Sequence, residues 1–140
     1  MIKKLYKFLI FPYTSYLLYL MFLGMGRYRL DDNMVRMEPV FSTIWFIKET
    51  ILWTDIVKIV LGNIILFIPF GFLGWIFPKL KDLKSLIFTF VSAITIVEGL
   101  QYFTRMGIFE VDDIMLNTFG MYLGWLICQC IELRSGRSVL

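Results

Sequence analysis

Four stretches of the chain carry almost no charge, and no other feature restricts its fold as tightly. Residues 8–25 and 114–131 each run 18 positions without Asp, Glu, Lys or Arg. Residues 59–78 run 20, and residues 85–104 run 20 with Glu98 as the one charge. A helix needs about 20 mostly apolar residues to cross a bilayer. Lipid offers the backbone no hydrogen-bond partners, so each stretch is expected to be a helix that satisfies its own amides. The sequence therefore predicts an all-α membrane protein, a four-transmembrane-helix bundle in one domain of 140 residues. Composition agrees. The chain is 59% hydrophobic and 18% aromatic, against about 45–50% apolar residues in soluble domains. A soluble core of this size has no room for that much apolar surface.

The links between the spans are unequal. Residues 79–84 and 105–113 are short connections that make their neighbouring helices antiparallel. Residues 26–58 form a long first loop, expected outside the cytoplasm. That loop holds the apolar runs 40–47 and 51–53, too short to span, with Trp45, Phe46 and Trp53 suited to the membrane interface. A short interfacial helix is expected there. The opening Met1-Ile2-Lys3-Lys4 imitates a secretory signal, but residues 8–25 are longer than a typical apolar signal core and no small-x-small cleavage site follows. The segment reads as a retained first helix.

Orientation follows from Lys and Arg. With the amino terminus inside, eight cations (Lys3, Lys4, Lys7, Lys79, Lys81, Lys84, Arg134 and Arg137) fall in three short inner segments, and six (Arg27, Arg29, Arg36, Lys48, Lys58 and Arg105) fall outside. Both termini are expected in the cytoplasm. Cys128 and Cys130 then lie near a reducing compartment as free thiols. Two apart on a helix, they point to different faces and form neither a metal nor a redox pair. Histidine is absent, which removes the commonest general base and transition-metal ligand. No metal and no cofactor is expected. The net charge of +3 shows no clustered basic face of the kind nucleic acid requires, so no nucleic-acid partner is expected.

Polar side chains inside spans are costly and mark function by default. Glu98, Gln101 and Arg105 are spaced i, i+3, i+7 and share one face of the third helix. Asp113, Asn117, Gly120 and Gly124 share one face of the fourth, and Asn63 lies in the second. Helix rise puts Asn63, Glu98 and Asn117 in the outer half of the bilayer, with Asp112, Asp113 and Arg105. An outward-facing polar pocket is expected. Glu98 and Asp113 are its acid/base candidates; Asn63, Gln101, Arg105, Asp112 and Asn117 are its ligand-binding candidates. A structural reading stands beside this one. Glu98 and Arg105 would form an ion pair, the Asn side chains would hold helices together, and Asp112 or Asp113 would cap the fourth helix. Gly120 and Gly124 form a small-xxx-small pattern for close helix packing. Pro69 is expected to kink the second helix beside Gly71 by weakening the bond to the Ile65 carbonyl.

Three runs in this order, Asn63-Ile-Ile-Leu-Phe-Ile-Pro69-Phe-Gly71-Phe72, Glu98-Gly-Leu-Gln101 with Arg105, and Asp112-Asp113-Ile-Met-Leu-Asn117-Thr-Phe-Gly120, resemble the VanZ-like family. That family comprises small bacterial membrane proteins named for a teicoplanin-resistance protein. The resemblance covers about residues 36–131. It departs in the long loop, where Arg36-Met-Glu38-Pro39-Val-Phe41 stands in place of an Arg followed by Asn-Leu-Ile-Pro-Phe. It implies a bacterial cell-envelope protein associated with lower susceptibility to glycopeptide antibiotics, and it implies no particular reaction. Two functions are open. One is binding or modification of an outer-leaflet lipid-linked glycan or glycolipid. The other is a non-enzymatic membrane partner or scaffold subunit whose polar cluster is structural. Proton-coupled transport fits less well, since four helices without a repeat are few for a transporter.

Overall fold

The computed structural model describes residues 2–24, 29–36 and 53–134, and of residues 53–59 the backbone alone. Helix α1 is Ile2–Phe22, α2 is Trp53–Phe67, α3 is Leu83–Thr104 and α4 is Val111–Arg134. Two 3-10 helices, Ile68–Trp75 and Pro78–Lys81, lie between α2 and α3. Strands β1 (Val35–Arg36) and β2 (Phe109–Glu110) pair in parallel, Val35 with Phe109 and Arg36 with Glu110. The expected interfacial helix at 40–53 lies outside the described residues, apart from the backbone at Trp53, which begins α2.

Three helices, α1, α3 and α4, are long and apolar enough to cross a membrane. Each is longer than its charge-free run because lysine-, aspartate- or arginine-bearing turns extend it at the ends. The expected second span differs in kind. Its α-helix stops at Phe67, and the chain continues as eight residues of 3-10 helix. Pro69 sits in the first turn of that segment. It has no N–H to give to the carbonyl three or four residues earlier. Two tyrosines of α1 donate to carbonyls of this stretch: Tyr13 to that of Leu66, which Pro69 cannot serve, at 2.6 Å, and Tyr6 to that of Pro69 itself at 2.9 Å. The expected kink is thus a change of helix type stitched by α1. Tyr6→Phe with Tyr13→Phe is expected to cost about 1 kcal/mol for each lost bond, read as a lower melting temperature in detergent. An unchanged melt would show that lipid or water can replace both donors without loss.

Glycine sets the closest contact in the bundle. A Cβ on Gly124 would sit 1.9 Å from the Ile68 carbonyl oxygen, and one on Gly120 would sit 2.1 Å from that of Ile64. From the other side, a Cβ on Gly71 would lie 2.1 Å from the Trp125 backbone nitrogen. Backbone therefore meets backbone, and α4 runs parallel to α2 and the following 3-10 helix in one register. The core is apolar: Leu17, Phe67, Leu86, Phe90, Ile94 and Met121 form one buried cluster.

The two ends of the bundle have different chemistry. At one, Lys3 near the start of α1 pairs with Glu132 near the end of α4, Trp75 Nε1 donates to the same carboxylate at 3.0 Å, and Trp125 Nε1 donates to the Lys81 carbonyl at 3.1 Å. The start of α1 and the end of α4 thus lie together. Asp82 caps α3 there by accepting from the Ser85 N–H, which holds its carboxyl below the ordinary range. The opposite end carries β1, β2 and the polar residues considered next.

Candidate functional site

Every sequence-singled polar residue of α3 and α4 falls at or toward the strand-bearing end. Glu98 is 1% exposed and Asn117 is 2% exposed, and both are among the most fully buried side chains of the described residues. Gln101 and Asp112 are also buried. Their helices pack on each other, α3 rising toward this end and α4 descending from it. Each side chain is inward because it shares the helix face of the core residues: Leu86, Phe90 and Ile94 precede Glu98 on α3, and Gly120 and Gly124 follow Asn117 on α4.

Asn63 and Asp113 meet. The Asn63 amide donates to Asp113 Oδ1 at 2.8 Å and ties α2 to the first turn of α4. Asp112 and Asp113 lie inside that turn rather than at its cap, because α4 begins at Val111. Two carboxylates among the free N–H groups of a helix start are electrostatically favoured.

Two other residues are drawn elsewhere. Gln101 donates its amide to the Met21 carbonyl at 2.8 Å. That carbonyl is in the last turn of α1, where carbonyls lack an intrahelical donor. Arg105 does not spend its side-chain bonds on Glu98. Its Nε donates to Asn33 Oδ1 at 3.0 Å and its Nη1 to the Asp31 carbonyl at 2.9 Å. Its own carbonyl accepts from the Leu30 N–H at 2.8 Å. Arg105 ends α3 in the left-handed conformation, φ 60°, which aims the side chain off the helix and over residues 29–36. The suggested Glu98–Arg105 pair is corrected by this geometry: Arg105 is a clasp for the loop.

A buried amide acceptor is left over on α4. Asn117 Oδ1 receives no hydrogen bond among the described residues. An amide oxygen with no donor in a protein interior costs about 1–3 kcal/mol, so such an atom invites a hydroxyl, amide or water. No group of three or more His, Cys, Asp or Glu with metal-binding proximity occurs among the described residues.

Sequence reasoning passed over the Glu132 cluster at the other end. Glu132 is 6% exposed and joins Lys3 and Trp75, with the Lys3 ammonium 5.3 Å from the Trp75 ring centre. Its signal was present: Glu132 lies eight residues beyond Gly124 and four beyond buried Cys128, on the face already marked by Asp113, Asn117 and Gly120. Cys128 and Cys130 are free, one buried and one exposed, as their spacing implies.

A family model, VanZ/LLP1, matches residues 8–132. No curated protein matches the chain, and no solved structure does.

Proposed function

This chain belongs to the VanZ/LLP1 family, and from that premise we propose that it is a four-span protein of the bacterial cell membrane that binds the polar head of an outer-leaflet lipid-linked glycan or glycolipid. In this reading it lowers susceptibility to glycopeptide antibiotics of the teicoplanin type by holding or altering that molecule. The observation that carries the reading is the pair of fully buried polar side chains, Glu98 and Asn117, set inside an apolar bundle at one end of its helices. Intramembrane carboxylates and amides are expensive and are retained for use. Asn117 Oδ1 would accept from a ligand hydroxyl. Asn63, Gln101 and Arg105 would order the surrounding walls through the bonds described above, with Asp112 beside them in the first turn of α4. If a reaction is run, Glu98 and Asp113 are the acid/base candidates, and no cofactor is invoked.

The fourth span is α2 continued by its 3-10 helix. Fifteen residues at ~1.5 Å and eight at ~2.0 Å give a rod of about 38 Å, and the 24 residues of α4 give about 36 Å. The two rods touch at Asn63–Asp113, at the glycine contacts and at Trp75–Glu132. A rod that accompanies a spanning helix from end to end spans with it. The end holding Lys3, Lys79, Lys81 and Arg134 would face the cytoplasm under the positive-inside rule. Reporter fusions after Lys81 and at the carboxyl terminus should both read cytoplasmic. An extracytoplasmic signal from either would overturn the orientation.

A second reading is favoured by a different observation. Asn63–Asp113, Gln101–Met21 and Arg105–Asp31 are all internal bonds, as expected of a scaffold subunit whose polar groups fasten helices and present the loop to a partner. Lipid and glycolipid profiling of cells with and without the protein tests the choice. A glycolipid that changes in abundance or co-purifies with the protein supports the first reading. An unchanged profile with no co-purifying lipid-linked glycan supports the scaffold.

A further inference from the structure

α1 is fastened at points along its length. Lys3–Glu132 holds its start, Gln101 holds the Met21 carbonyl near its end, and Tyr6 and Tyr13 hold it to the 3-10 segment. Between α1 and α3 a lateral groove of about 430 Å³ remains. Phe11 and Leu18 of α1 form one wall, Ala93 and Val97 of α3 the other, and Phe70 and Phe90 the aromatic floor. Thr14 and Ser15 also border it, but their hydroxyls donate back to the Ile10 and Phe11 carbonyls. They therefore offer the groove little polar character, and its lining is almost wholly carbon.

We propose that this groove holds one acyl chain of an anionic phospholipid, with the lipid phosphate at the Lys7 end. The α3 wall runs from Leu86 to Val97, about 16 Å at the helical rise, and a flexible hydrocarbon chain can follow a carbon-lined groove of that length. Charge selects the head group. Lys7 is exposed and lies four residues before Phe11, on the same face of α1. Phe77 lines the same end of the groove and leads directly into Pro78–Lys81, which carries the exposed Lys79. The acid nearby, Asp82, already accepts from the Ser85 N–H as the cap of α3. Lys7 and Lys79 are therefore the two cations the proposal sets around the phosphate, beside one engaged carboxylate. The site differs from the Glu98–Asn117 cluster, which lies toward the other end of α3, beyond the groove's last residue on that helix, Val97.

The test uses the full chain in phosphatidylcholine vesicles doped with phosphatidylglycerol bearing a photoreactive acyl chain. Labelled peptides should come from α1 and α3 around Phe11, Leu18 and Ala93, several-fold above lipid-facing control positions such as Phe88 and Phe103. Ala93→Trp, which fills the groove, should abolish that excess. Thr89→Phe should do the same if Ala93→Trp fails to accumulate. Lys7→Glu should remove the preference over an equivalent phosphatidylcholine probe. Even labelling around the bundle, or labelling indifferent to both filled-groove variants, would overturn the proposal. So would a crosslink between α3 helices of two copies across the groove mouth. If the groove labels as expected while the glycolipid profile is unaffected by the protein, the chain site stands and the outer-leaflet function falls.

Discussion

Replacing Gly124 with alanine is expected to strip most of the folded protein from the membrane. The added methyl would stand 1.9 Å from the Ile68 carbonyl oxygen, less than any real carbon–oxygen contact. The obstacle is backbone, so no side-chain rotation relieves it. The rod of α2 and its 3-10 segment would have to move away from α4, and it is pinned on both sides of this contact, by Asn63–Asp113 and by Trp75–Glu132. Overpacking typically costs about 1–3 kcal/mol and more where the surroundings cannot relax; this site belongs to the upper part of that range. Gly99→Ala supplies the control. Nothing lies within 4 Å of its added Cβ, and alanine in a helix interior gains about 0.5–1 kcal/mol over glycine. Membrane abundance and thermal unfolding in detergent should therefore move in opposite directions for the two variants. A Gly124→Ala protein that melts with the wild type would mean that the two rods do not approach this closely in the bilayer.

The contrast between Gly124 and Gly99 also shows what the sequence can and cannot say. The small-xxx-small spacing of Gly120 and Gly124 identifies a packing face, and the structure puts Ile64 and Ile68 carbonyls on it. The partner was not readable, because spacing on one helix says nothing of which other helix comes close. Pro69 announces a lost donor, yet it does not specify how the chain responds. The long 3-10 run depends on Tyr6 and Tyr13, more than fifty positions away, reaching the exposed carbonyls. Glu98 and Asn117 were legible as buried because each continues an apolar stripe. Arg105 was misleading for the same reason. Helical periodicity placed it with Glu98, but a residue at the helix end in the left-handed conformation leaves the stripe, and its partners Asp31 and Asn33 sit in a loop with no periodicity to read.

Glu98→Gln is expected to abolish function while leaving protein in the membrane. Glu98 is the one charged residue between Ser85 and Thr104, it is 1% exposed, and it lies about 9 Å from the end of α3 at the helical rise. Glutamine preserves its shape and still accepts hydrogen bonds through one oxygen, but it carries no charge and transfers no proton. Were the carboxylate a structural fastener, an amide would satisfy the same neighbours, and abundance and antibiotic susceptibility would both match the wild type. Were it the counter-charge or proton donor for a bound head group, susceptibility would change and abundance would not. Glu98→Leu supplies the scale, because it removes all hydrogen-bonding capacity and should lower abundance in either case by leaving neighbouring polar groups buried without it. Arg105 no longer complicates the comparison. With its guanidinium bound to Asn33 and Asp31, loss of the Glu98 charge leaves no buried cation stranded on α3. A normal level of Glu98→Gln protein with lost phenotype therefore points to the head-group site. A normal level with wild-type susceptibility would retire that site and leave the scaffold reading, in which Asn63, Gln101 and Arg105 matter for what they fasten.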